Sequence, residues 1–161
     1  DAGLAIGAAQ WLWHQELDNP RISWDKNATP YLGELYNKND VTSAIQKFDD
    51  RVISHQTDDQ SVLDKLANQK IVSVFSGGSE SGRRALGNRR LQTGRETDNK
   101  WFYNFLKKWE KLTGVPILLN TSFNDREPIV ETPEDAIKCF LKTDIDYLYF
   151  CDYNIVLEKK V

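Results

Sequence analysis

Two stretches hold residue types suited to chemistry. The first is "FSGGSESGRRALGNRR", in which a β-branched run ends at Phe75, glycines follow, and Arg83, Arg84, Arg89 and Arg90 close the string. Backbone N–H groups in a glycine-rich turn can converge on an anion. Arginine adds a permanently charged fork that grips phosphate or carboxylate through two parallel hydrogen bonds. Clustered guanidiniums repel one another, so a bound anion would relieve a standing electrostatic cost. Gly77, Gly78 and Gly82 are the candidate backbone donors. A solvated basic turn accounts for the same residues and stays open at this point. Neither a Walker string nor a GxGxxG fingerprint is present. The second stretch is "NTSFN", where the apolar run "VPILL" gives way to Asn120, Thr121, Ser122 and Asn124. Short amides and hydroxyls at a strand end can read a small polar ligand. They can equally satisfy their own backbone as an Asx or Ser/Thr turn.

Other candidates carry less. His14 and His55 lie far apart and lack metal-ligand spacing. Glu80 could act on a proton, but a lone exposed glutamate usually does nothing chemical. Trp101, Phe105 and Trp109 recur every fourth residue, the spacing of one buried helix face rather than a stacking platform. "ETPEDAI" is accounted for as a capped helix start.

The elements that must position these residues alternate between helix and strand. "DAGLAIGAAQWLWHQ" reads as a tightly packed helix, and "DNPRISWDKNATPYLG" as a connecting loop. A helix is expected from about Val41 to Phe48, capped by Asn39 or Asp40, and "RVISH" as a strand. Asp58 or Asp59 caps a helix through "SVLDKLANQ", with Val62, Leu63, Leu66 and Ala67 on one face. "KIVSVFS" is a strand feeding the glycine-rich loop. "DNKWFYNFLKKWEKLTG" is the clearest helix, stopped by Gly114. "VPILL" is expected as a buried strand. Thr132 caps a helix with Pro133 at its first position, and "DYLYFCDYNIVLEKK" supplies one or two strands. The pattern predicts an α/β fold: a mixed twisted sheet with flanking helices.

The bulk numbers bound the function. The chain has 161 residues, 40% hydrophobic, 28% charged and 11% aromatic, enough for a real core in one domain, or in one domain plus a remnant of another. The net charge of -3 means that any polyanion site must be local. Cys139 and Cys151 sit in apolar patterns and form no metal-type pair, as expected of buried thiols in a reducing cytosol. No signal peptide and no membrane-length apolar run are visible. The chain starts at Asp1 and contains no methionine, which suggests a processed, excised or incomplete chain.

The motifs, taken together and in order, resemble a known family. "GRRALGNRR", "ILLNTSFNDREPIV" and "TPEDA" are similar to the C-terminal part of the O-carbamoyltransferases that modify nodulation factors and antibiotics. The opening "DAGLAIGAA" resembles the end of that family's N-terminal domain, and "PYLGELY" the junction between domains. The resemblance implies residues 1–30 as the end of an actin-like ATPase domain with its linker, and 31–161 as a YrdC-like domain. It implies a cytoplasmic enzyme that forms carbamoyl-AMP from carbamoyl phosphate and Mg-bound ATP, then transfers the carbamoyl group to a hydroxyl acceptor. Arg84 and Arg89 would be the catalytic pair, holding the anionic substrate with Asn88. Asn120, Thr121, Ser122 and Asn124 would line the neighbouring wall. Asp1 would help bind a divalent metal or iron whose histidine ligands belong to the absent N-terminal domain. The family's Pro stands as Arg83 here, and its Ser as Arg90. A long stretch that the family carries after its GNRS string has no counterpart at 89–90, through a true deletion or an omitted segment. Two further readings stand beside this one. The arginines with nearby aromatics could form a nucleic-acid patch, against which the acidic total argues. The shortened middle could mark an inactive remnant.

Overall fold

The computed structural model describes residues 2–21, 31–80, 100–119 and 121–160. Among them, helix α1 spans Ala2–Trp11 and runs into a π-helical turn, Leu12–Glu16. Helix α2 (Lys38–Gln46), strand β1 (Val52–Gln56), helix α3 (Asp59–Ala67) and strand β2 (Val72–Phe75) come next. Helix α4 (Lys100–Thr113), helix α5 (Pro133–Lys142), strand β3 (Tyr147–Phe150) and strand β4 (Ile155–Lys159) complete the order. The strands form one sheet in the order β1-β4-β3-β2. β2 pairs with β3 in parallel, while β3–β4 and β1–β4 are antiparallel. The mixed α/β sheet with flanking helices is thus as expected.

Successive side chains on a strand point to opposite faces, and both faces of this sheet are covered. On one, Phe75, Leu148, Phe150, Leu157 and Val52 pack with Val41 and Ala44 of α2 and Ala136, Ile137, Cys139 and Phe140 of α5. On the other, Val74, Tyr149 and Val156 pack with Val62 and Leu63 of α3 and Phe102 and Phe105 of α4. Trp101 and Trp109 lie against this second cluster, as the every-fourth-residue stripe predicts. Cys139 and Cys151 are buried and free, and burial raises both thiols above their ordinary range.

The helix ends obey local chemistry. Asn37 caps α2, accepting from the Asn39 and Asp40 N–H groups at 2.8 and 3.1 Å. The cap therefore lies ahead of the expected Asn39 or Asp40, because Asp40 is needed at the third helical position to close the capping box. Asp58 caps α3 through the Ser61 N–H at 2.8 Å. Gly114, at φ +78°, ends α4 in the left-handed region that glycine enters freely. Thr132 caps α5 in a box with Asp135, with Pro133 at the helix start.

Two expectations are corrected. "VPILL" is not a strand: residues 115–119 run irregularly, with Ile117 at 68% and Leu119 at 100% exposure. Only Leu118 of this run reaches the second cluster, and the Trp109 indole N–H holds the Ile117 carbonyl at 3.1 Å. Apolar composition alone does not make a strand: among the described residues, 115–119 pair with neither edge strand of the sheet, β1 or β2. The opening helix does form, but among the described residues its apolar side chains Leu4 and Trp11 are 77% and 58% exposed rather than tightly packed.

Candidate functional site

Because β2 and β3 run parallel, their carboxyl ends, Phe75 and Phe150, lie at the same end of the sheet. Open α/β sheets bind ligands at that end. The loop leaving β2, residues 76–80, and the turn leaving β3, residues 151–154, are joined there by Asp152. Its carboxylate accepts from the Ser76 hydroxyl at 3.2 Å and from the Gly77 N–H at 2.7 Å. Gly77 has φ +48°, a conformation in which a Cβ would be strained.

A third segment, residues 31–34, lies across the same loop. The Gly33 N–H donates to the Ser79 carbonyl at 3.0 Å, and Tyr31 and Glu80 form an antiparallel bridge. The two backbones touch where both residues are glycine. A Cβ on Gly78 would strike the Gly33 carbonyl, and one on Gly33 would strike Ser79. The Ser79 hydroxyl donates to Glu131, whose other oxygen accepts from the Glu34 N–H at 3.1 Å. The β2-exit loop is therefore fixed by the β3 turn, by residues 31–34 and by Glu131. Glu80 is buried at 6% exposure, not exposed as the sequence suggests, because the bridge to Tyr31 folds it inward.

The segment that follows the "NTSFN" motif reaches the same loop. Phe123 and Val130 are buried in the first cluster, and the Val130 N–H donates to the Phe123 carbonyl at 3.2 Å. Between them the Asn124 amide N–H donates to the Glu127 carbonyl at 2.7 Å, a side-chain link that closes the loop locally. Thr121 is exposed and Ser122 half-buried. One residue past Val130 stands Glu131, the carboxylate that holds Ser79. The structure thus brings Gly77 and Gly78 to the β2 exit and links that loop to the segment that begins with Thr121, Ser122 and Asn124. Arg84, Arg89, Gly82, Asn88, Asn120 and Asp1 lie outside the described residues.

Sequence reasoning missed Asp152, Glu131 and Gly33. Each left a trace: an acid directly after the buried "YLYFC" run, an acid just ahead of the Thr132 cap, and a glycine inside "YLGELY". None of these traces shows by itself which segment the residue will meet.

The return of the chain from the arginine run is also held by hydrogen bonds. Asp59, at the start of α3, accepts from the Trp101 indole at 3.0 Å, Lys108 at 2.7 Å and the Tyr149 hydroxyl at 3.1 Å. The Tyr149 hydroxyl also lies 3.0 Å from the Asn154 amide oxygen. Burial, with the Asp59 charge beside it, pushes the Tyr149 hydroxyl well above its usual range. A separate open cleft of about 520 Å³ beside α1 is lined, among the described residues, by Trp11, His14, Gln15, Asn19 and Arg21 together with Gly7 and Gln10. Among the described residues no three His, Cys, Asp or Glu side chains are grouped to hold a metal ion. No described helix is long and apolar enough to cross a membrane.

The arrangement gives a seat of hydroxyls, carboxylates and backbone, tied together by hydrogen bonds, just ahead of the arginine-rich stretch in the chain. Comparison with known proteins bears on the end of that stretch and on the chain beyond it. Residues 89–157 match the family model of the carbamoyltransferase C-terminus. The nodulation protein NolNO of Sinorhizobium fredii is 47% identical over 70 residues, covering 43% of this chain and 10% of its own length. The nodulation protein NolO of Bradyrhizobium diazoefficiens is 48% identical over 63 residues, 38% of this chain and 12% of its own. An uncharacterized protein of Synechocystis is 26% identical along 99% of this chain and 42% of its own length. That alignment runs over 260 positions although the chain has 161 residues, so the relative carries long stretches with no counterpart here. The chain spans less than half the length of these relatives. Residues 89–157 are thus similar to a carbamoyltransferase C-terminus, a likeness that the two nodulation proteins share over less than half of this chain.

Proposed function

We propose that this chain is the C-terminal, YrdC-like part of an ATP-dependent O-carbamoyltransferase, acting in the cytoplasm. In this reading it forms carbamoyl-AMP from carbamoyl phosphate and ATP for transfer to a hydroxyl acceptor. The observation that carries the proposal is the match of residues 89–157 to the carbamoyltransferase C-terminus, which spans Arg89, "NTSFN" and the Glu131 segment. The chemistry suits the residues. Water must first cleave carbamoyl phosphate to carbamate and inorganic phosphate; a carbamate oxygen then attacks the α-phosphorus of ATP and expels pyrophosphate, so cationic clamps that gather these anions matter more than acid–base groups. Arg84 and Arg89, with Asn88, hold the anionic substrate. Gly77, Gly78 and Gly82 shape the loop, and Asn120, Thr121, Ser122 and Asn124 form its wall. Mg would enter with the ATP phosphates, whose charge it offsets. Asp1 would serve a metal only together with the N-terminal domain.

The unmatched positions in the Synechocystis relative favour a second reading, a remnant that binds without turnover. Calorimetric titration with carbamoyl phosphate, paired with a pyrophosphate-release assay, separates the two. Binding with release supports the enzyme, and binding alone supports the remnant. Arg84→Ala is expected to weaken carbamoyl phosphate binding by about 1.5–3 kcal/mol, a charged hydrogen bond's worth. Unchanged affinity would remove Arg84 from the site, and no binding by the unaltered chain would sink the proposal.

A further inference from the structure

Glu131 stands where three segments meet. One carboxylate oxygen takes the Ser79 hydroxyl of the β2-exit loop. The other takes the Glu34 N–H of the 31–34 segment at 3.1 Å. Its own backbone is set by the neighbouring cap, where the Thr132 hydroxyl accepts the Asp135 N–H at 3.0 Å and starts α5. A carboxylate mounted on a fixed helix start therefore clamps two segments that come from distant parts of the chain. Those segments are already in contact without side chains between them, at Gly33 and Gly78. Such a backbone approach leaves little tolerance for drift.

We propose that Glu131 is a positioning residue that staples residues 31–34 to the β2-exit loop and so fixes where the chain departs beyond Glu80 toward the arginines. Its effect on carbamoyl phosphate rests on the function proposed above. The polarity of the staple predicts which replacement works. In Glu131→Gln the amide oxygen still accepts from Glu34 while the amide N–H donates to the Ser79 oxygen, so both links persist. Glu131→Ala loses both.

Hydrogen–deuterium exchange of the whole chain tests this, read on residues 31–36 and 76–80, alongside carbamoyl phosphate titration. Glu131→Ala is expected to speed exchange in both segments about tenfold while β4 is unchanged, and to raise the carbamoyl phosphate Kd about tenfold. Glu131→Gln is expected to restore both. Unchanged exchange in the alanine variant, or a glutamine variant as damaged as the alanine one, overturns the staple. Faster exchange in both segments with unaltered affinity overturns its link to the substrate. If the unaltered chain binds no carbamoyl phosphate, the functional proposal fails and the exchange data alone decide the role of Glu131.

Discussion

Removing the Asp152 carboxylate should loosen the β2 exit without dissolving the core. Asp152 accepts from the Gly77 N–H at 2.7 Å and from the hydroxyl of Ser76, a residue only 7% exposed. A hydrogen bond to a charged group contributes about 1.5–3 kcal/mol when sheltered. Asp152 itself is exposed, so water replaces part of what is lost and screening lowers the charge contribution. The sum for Asp152→Ala comes to about 1–2 kcal/mol. Asp152→Asn should cost about 0.5 kcal/mol, because its oxygen still meets the Gly77 N–H and its amide can donate to Ser76. Urea denaturation gives the global cost, and amide exchange at Gly77 gives the local one. Asp144→Ala, at the opposite end of β3, controls for the simple loss of a negative charge. Equal costs for the alanine and asparagine variants would show that the two hydrogen bonds do not hold the loop. A cost no larger than that of Asp144→Ala would refute the reasoning outright.

Two further predictions concern the sheet and its second face. The Tyr149 hydroxyl is held above its ordinary range by burial and by Asp59, so the unfolded chain releases this proton first as pH rises. Stability from this group is complete below about pH 10 and falls above it by about 1.4 kcal/mol per pH unit; Tyr149→Phe should flatten that alkaline limb in denaturation curves, and an unchanged limb would count against the network. Phe105→Ala, which empties a fully buried site, should cost about 3–5 kcal/mol, whereas Leu119→Ser should stay within about 0.5 kcal/mol. Comparable losses in thermal denaturation would mean that residues 115–119 are packed after all.

Most of the fold was legible because its signals are local. Thr132 with Pro133, Gly114, and the every-fourth-residue stripe of α4 act within a few residues of themselves, so their chemistry determines the element wherever it ends up. The arginines were nominated in the same way, by type and spacing, and the family string carried the rest of the functional reading. The missed residues are of another kind. Asp152 is a surface acid until the parallel pairing of β2 with β3 sets it beside Gly77. Gly33 is an ordinary loop glycine until Gly78 arrives against it, and Glu131 an ordinary helix-flanking acid until Ser79 and Glu34 reach it from 52 and 97 residues away. "VPILL" fails in the opposite direction, since its apolar composition needs a pairing edge that composition cannot provide. The sequence by itself determined the Thr132 cap, the Gly114 stop, the helix stripe and the anion-suited residues, because these are set by neighbours along the chain. Only the tertiary structure decided which carboxylates hold the β2-exit loop, because that depends on contacts made across the sheet end after the chain has folded.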